Sequence, residues 1–286
     1  MESEQLHYIS FANQEVAISS AFPEVIAPFL LAFEALLVDE PQDVIAELAV
    51  VKDGEGYRVE GGRMFEENRE TARGVLQHLK FELIHRFVDV HPELIWLHAG
   101  AAAKDDNAIM LCGAWGSGKS TMVGNLCKKG WTYLSDDIVP IEMEARRLMS
   151  FPLTPMMRAH DQSDSKVRLS PLEISNLKKQ VVELEESDFA QGTRELAAII
   201  FPQYDPEAKG TSLKPIAPAT ATMELLRNCL DLKFHKEEAV QYLGGLVEKL
   251  PVYLLRYNNG EKAADLLIDT HQNGYGKSIK ASAGSA

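Results

Sequence analysis

At 286 residues, 45% hydrophobic and 25% charged, the chain is long enough to bury a real core as one large domain or two smaller ones. A formal net charge of −13 argues against a nucleic-acid or anionic-membrane partner and for a soluble protein. The three cysteines, Cys112, Cys127 and Cys229, have no metal-ligand spacing and read as reduced, buried thiols, which suits a cytoplasmic protein.

The start, MESEQLHY, is acidic and polar, unlike a signal peptide. Residues 6–19 read as two short strands turning at Asn13, and residues 21–38 as a helix. The apolar part of that helix, VIAPFLLAFEALLV, is too short to span a membrane and carries Pro28 and Glu34. IAELAVVK and GYRVEGG, separated by Asp53-Gly54, predict a β-hairpin. Residues 68–90 predict a long helix with Ala72, Leu76, Leu79, Leu83 and Phe87 on one stripe and Arg69, Arg73, Lys80 and Glu82 off it. His78, His85 and His91 read as surface or capping residues, the first two being two turns apart. Residues 1–92 are thus an N-terminal α+β lead-in unit, and 93–275 a second domain.

Within that domain, residues 94–103 read as one strand. A turn through Lys104-Asp105-Asp106-Asn107 and the buried strand AIMLC follow. Helix 119–129 closes at Gly130, and the strands WTYLS and IVPIEM flank Asp136-Asp137. Residues 143–195 are irregular, and the polar stretch from His160 reads either as a substrate-facing lid or as a solvated insertion. LAAIIFP is a buried strand, and KGTSLKPIAPATATMELL enters a helix. The next helix has Ala239, Val240, Leu243, Leu246 and Val247 on one face and stops at Pro251. VYLLRY is a strand, AADLLID a last helix, and 276–286 a frayed tail.

Residues 113–120, GAWGSGKS, fit G-x-x-x-x-G-K-[ST], the Walker A pattern. Gly113, Gly116 and Gly118 let the backbone curl so that its N–H groups face an anion, with Ala114, Trp115 and Ser117 completing the loop. Lys119 adds a charge near the β- and γ-phosphates, Ser120 offers a hydroxyl to Mg²⁺, and a helix starting here points its positive end at the phosphates. A buried strand before and helical spacing after give the pattern its context. Without them it is a glycine-rich turn. The helix carries the chain about 16 Å away at ~1.5 Å per residue, and WTYLS returns it about 16 Å at ~3.3 Å per residue. Asp136 and Asp137 therefore return to the loop, where paired carboxylates hold Mg²⁺ and take a proton from an attacking hydroxyl. The plain alternative is an Asp-Asp that caps a turn.

On these residues the chain resembles the HPr kinase/phosphorylase family, in particular the HPr-kinase-like proteins found beside bacterial peptide-modification enzymes. His98 stands before Gly113, and Asp136-Asp137 after Lys119, at the family's spacings, and FPLTPMMR, IIFP and PVYLLRY fit the kinase-like branch. The resemblance implies an α/β phosphate-loop core related to phosphoenolpyruvate carboxykinase, with a smaller N-terminal α+β unit. It implies ATP and Mg²⁺ as cofactors. Asp137 would be the base toward a serine hydroxyl, and Lys119 would stabilise the transferred phosphoryl group. Ser120 and Asp136 would be metal ligands, and His98 would orient the reacting groups. Gly113 to Thr121 would hold the nucleotide. The acceptor implied is a peptide or small protein, with neither nucleic acid nor membrane as partner and a homo-oligomer left open. Three departures stand against this. Thr121 replaces the family's Glu after the loop serine, no Glu-Leu-Arg-Gly segment is present, and Arg158 and Arg168 are the candidates for the family's late arginine. HPr itself is therefore not implied as acceptor. A small-metabolite kinase, acting on free serine or similar, and an ATP-binding accessory protein without transfer activity are the other readings.

Overall fold

In the computed structural model the chain is mixed α/β and divides into two units: Met1–Pro92 with Pro152–Thr154 and Arg168–Val181, and Glu93–Phe151 with Pro155–Val167 and Val182–Ala286. The structure describes residues 5–63, 71–154, 156–158, 167–168, 179–182, 189–190 and 192–275. The tail at 276–286, the start of the helix predicted from 68, and most of the stretch from His160 lie outside the described residues, as do the side chains of Arg158 and Arg168.

In the first unit, β1 (Gln5–Phe11) and β2 (Gln14–Ser20) pair antiparallel around Ala12-Asn13, both at positive φ. α1 (Pro23–Ala32), a 3-10 turn (Glu34–Leu36), β3 (Leu37–Val38) and the hairpin β4 (Val44–Asp53) and β5 (Gly56–Glu60) follow. The sheet order is β3-β1-β2-β4-β5. α2 (Ala72–Val90), capped by Thr71, lies on the sheet with Val75, Leu79, Leu83 and Phe87 fully buried. The helix predicted over 21–38 ends at Ala32 instead, because Leu37 and Val38 leave it to pair with Ile9 and Tyr8 at the sheet edge. His78 is buried rather than on the surface, while His91, also buried, caps the C-terminus of α2 as expected, its N–H donating to the Phe87 carbonyl at 3.1 Å. Glu82 is buried too, because partners are built in for it. His78 Nε2 lies 3.4 Å from its carboxylate, Arg63 N donates to it at 3.0 Å, and Arg86, 3.5 Å away, donates to the Gly61 carbonyl.

The second unit runs β6 (Leu94–Leu97), β7 (Ala99–Lys104), β8 (Asn107–Cys112), α3 (Lys119–Lys128), β9 (Thr132–Ser135), β10 (Val139–Glu142) and β11 (Arg147–Met149). Three short strands, β12 (Met156–Arg158), β13 (Val167–Arg168) and β14 (Lys179–Val182), fall in the stretch shared between the two units. β15 (Thr193–Tyr204), β16 (Ser212–Pro215), α4 (Pro218–Arg227), α5 (Leu232–His235), α6 (Glu237–Lys249), β17 (Val252–Tyr257) and α7 (Gly260–Gln272) complete it. The sheet order is β6-β10-β11-β15-β8-β7-β9, with β17 beside β15 and β16 beside β17. β8 reads as an unbroken apolar run because both its faces are covered. Ile109 and Leu111 pack with Met122 and Leu126 of α3 and Leu267 of α7, while Met110 packs with Leu225 of α4 and Leu243 of α6. The 12-residue β15 has two partners along one edge, β11 for Thr193–Glu195 and β17 from Ile199 onward, so the sheet forks there.

Several expectations change in this unit. The strand predicted over 94–103 breaks at His98, where β6 stays with β10 and β7 turns to β8 and β9, and His98 N donates to the Asn228 carbonyl at 2.7 Å. Residues 212–215, expected to lead into a helix, pair antiparallel with β17. Val240 is exposed, while Ala239, Leu243, Leu246 and Val247 are buried. Cys127 and Cys229 are half-buried rather than buried. Asp106 stays exposed in its turn, where Arg147 donates to it at 2.6 Å. Among the described residues no helix is long and apolar enough to cross a membrane.

Candidate functional site at the glycine loop

The chain leaves β8 at Cys112, turns through Gly113–Gly118, and enters α3 at Lys119. Gly113, Gly116 and Gly118 all sit at positive φ. Ser117 N donates to the Ala114 carbonyl at 3.1 Å and makes the turn. Gly118 is the N-cap and gives α3 no capping side chain, so the helix start presents backbone N–H groups in its place. The Ser117 Oγ is buried with no hydrogen-bond partner, a polar atom left inside the loop. Trp115, at the tip, is 75% exposed. Ser120 and Thr121 are half-buried on the first turn of α3.

Lys119 is 6% exposed and donates from Nζ to the carbonyls of Gly113 (2.6 Å) and Ala114 (3.3 Å). Burial pushes its pKa down, and the Asp137 and Asp136 carboxylates act against that. The loop and the two aspartates therefore share one local field. Cys112, just before the loop, is pushed up to about 12 by burial.

His98 and the aspartates sit where neighbouring strands end. β7 begins at Ala99 opposite Cys112, and β9 ends at Ser135 opposite Ala101, so both strand ends lie on the loop's edge of the sheet. The Asp137 carbonyl accepts from Ala99 N at 3.2 Å and from His98 Nδ1 at 2.9 Å, and the Asp137 Oδ1 lies 3.1 Å from the same nitrogen. Two acceptors face Nδ1, so that nitrogen carries hydrogen and orients the carboxylate. Asp136 is buried, and Oδ1 accepts from the Tyr133 hydroxyl at 2.9 Å. Burial, then Asp136 itself, raises the Tyr133 pKa well above the ordinary value, so the phenol stays a donor. Asp137 is thus the accessible member of the pair and Asp136 the anchored one.

The structure brings His98, the loop, Lys119, Asp136 and Asp137 of the sequence reading to one sheet edge. Sequence reasoning missed Tyr133, which holds Asp136, and the pair Tyr204 and Tyr257, which flank Gly118. The last two had a signal: the apolar runs IIFP and VYLL are each followed by one polar residue and then a tyrosine. Among the described residues no three His, Cys, Asp or Glu side chains form a metal-holding group. Ser120 and Asp136 offer oxygen donors, the type Mg²⁺ takes, and Mg²⁺ is usually held by one or two carboxylates together with substrate phosphates.

No family model matches the chain, and no curated protein matches it. Among solved structures, the HPr(Ser) kinase/phosphatase from Coxiella burnetii resembles it remotely, at a TM-score of 0.31 and 13% identity, over 67% of this chain and 99% of that one.

Proposed function

We propose that the chain is an ATP- and Mg²⁺-dependent kinase that phosphorylates a hydroxyl, with the second unit as an HPr-kinase-like phosphate-loop core. The serine hydroxyl of a peptide or small protein is the acceptor class that the sequence resemblance implies. The observation that carries the reading is the placement of Lys119, in its glycine loop, on the same sheet edge as the His98–Asp137 pair.

The backbone N–H groups of 113–121 and the buried Ser117 hydroxyl take the phosphate oxygens. Lys119 leaves the Gly113 and Ala114 carbonyls to meet the β- and γ-phosphates, and its charge is stabilised there by the anion. Ser120 and Asp136 would hold Mg²⁺, which would supply charge neutralisation to the phosphates. The acceptor oxygen attacks the γ-phosphorus, the bond to the β–γ bridging oxygen breaks, ADP leaves, and the hydroxyl proton passes to the Asp137 carboxylate. His98 Nδ1–H keeps that carboxylate aimed.

Asp137→Asn keeps the shape and removes the proton acceptor. Nucleotide binding, read by calorimetry, is expected to persist while transfer to a serine-containing peptide panel falls roughly 10²- to 10⁴-fold. Unchanged transfer would sink the role of Asp137. ATP binding by the wild type without phosphoryl product on any acceptor would favour the accessory-protein reading.

A further inference from the structure

The strand order gives the glycine loop two unlike flanks. On one side β7 and β9 bring His98, Asp136 and Asp137. On the other, β15 and β17 run parallel to β8 and go beyond it. Ile200 is level with Leu111, one residue before β8 ends, and β15 continues to Tyr204 paired with Tyr257. At ~3.3 Å per residue the two strands outrun β8 by roughly 10 Å and stand as a wall beside the loop.

That wall ends in an aromatic surface. Tyr204 N donates to the Ser117 carbonyl at 3.3 Å, and the Tyr204 Cβ lies 3.8 Å from where a side chain on Gly118 would begin. Its ring meets the Tyr257 ring edge-on, with centroids 5.8 Å apart. Tyr257 is buried and fixes the platform, while Tyr204 stays 54% exposed. Asp205, the next residue, is tied by its N–H to the Tyr257 carbonyl at 2.8 Å and by its carboxylate to Arg256, so the corner is rigid.

We infer that Tyr204 is the stacking platform for the nucleobase of the bound nucleoside triphosphate, with its phosphates running through the loop toward Asp137. This rests on the nucleotide-binding reading above and adds the base subsite to it. The reacting flank takes the γ-phosphate, so the base leaves by the opposite flank, where Tyr204 presents a π-face. Stacking of this kind accepts any base, because every base has such a face.

The test compares ATP with inorganic tripolyphosphate, both with Mg²⁺, by calorimetry on the full chain and on Tyr204→Ala and Tyr204→Phe. The inference expects wild type to bind ATP more tightly than tripolyphosphate. It expects Tyr204→Ala to weaken ATP roughly tenfold or more while leaving tripolyphosphate unchanged, and Tyr204→Phe to keep the wild-type affinity for both. Equal loss of both ligands in Tyr204→Ala would make the residue a mere support of the loop and overturn the inference, as would no loss of either. If wild type binds tripolyphosphate as tightly as ATP, the base subsite fails and the phosphate loop stands. If it binds neither, the nucleotide reading fails with it.

Discussion

Gly118 meets two demands at once. Its φ of +102° lies where L side chains rarely go, and a Cβ there would begin 2.0 Å from the Tyr257 hydroxyl oxygen. That hydroxyl also lies 3.5 Å from the Gly118 carbonyl oxygen, and burial pushes its pKa up to about 12, so it stays protonated. Gly118→Ala is expected to lower the melting temperature and abolish nucleotide binding, with backbone strain alone costing about 1–2 kcal/mol. Adding Tyr257→Phe removes the colliding oxygen but not the strain. The double variant should therefore be more stable than the sum of the two single losses. A thermal double-mutant cycle reads this directly, and strict additivity would show that the collision is relieved some other way.

At the scale of elements, Glu15 ties the approach to β4 onto the start of β2. Its buried carboxylate accepts from Gln42 N at 3.0 Å, Asp43 N at 2.7 Å and Ser10 Oγ at 2.8 Å. Burial alone would raise its pKa; the hydrogen bonds to the ionised form outweigh that and lower it below the ordinary 4.5. A pKa lower in the folded than in the unfolded state stabilises fully above the unfolded value and is lost as pH falls through the folded one. Glu15→Gln should therefore cost most in melting temperature near neutral pH, and the gap to wild type should close under acid. A gap that stays constant into acid would refute the ionic role. The elements most legible in the sequence were local ones. The hairpin of β7 and β8, the glycine loop, α3 and β9 follow one another, and each is marked by its own periodicity or glycine. What the sequence hid came from distant partners. Residues 94–103 are apolar on both sides of His98, and one polar residue does not end a strand, so nothing local marks the break there, which Asn228 and β10 impose. Ser212–Pro215 becomes a strand only because β17 lies beside it. Glu82 stands off the apolar stripe of its helix, yet Arg63, Arg86 and His78 surround it in the fold. For the candidate site, spacing marked His98, Lys119 and both aspartates, but not the buried Tyr133 that holds one of them.

Across the whole molecule, 42 acidic residues against 29 basic ones set a repulsive long-range field for a polyphosphate, while Lys119 and the α3 start attract it only at close range. Salt screens the first more than the second, with a Debye length of about 8 Å at physiological ionic strength. The association rate of ATP, followed by Trp115 fluorescence, is expected to rise a few-fold between about 10 and about 150 mM salt. A falling rate would mean that a positive local field extends beyond the loop. The forked strand β15 has a different consequence, for the order in which the chain folds. Its partners lie far away on both sides in sequence, β8 and β11 upstream and β17 downstream. Closing loops of that length costs entropy before the pairing returns anything, so contacts through β15 form late. His98, the loop and Asp137 belong to one continuous stretch whose strands β7, β8 and β9 pair with one another. The refolding chain therefore gathers the groups that face the phosphates first, and raises the tyrosine wall beside them last.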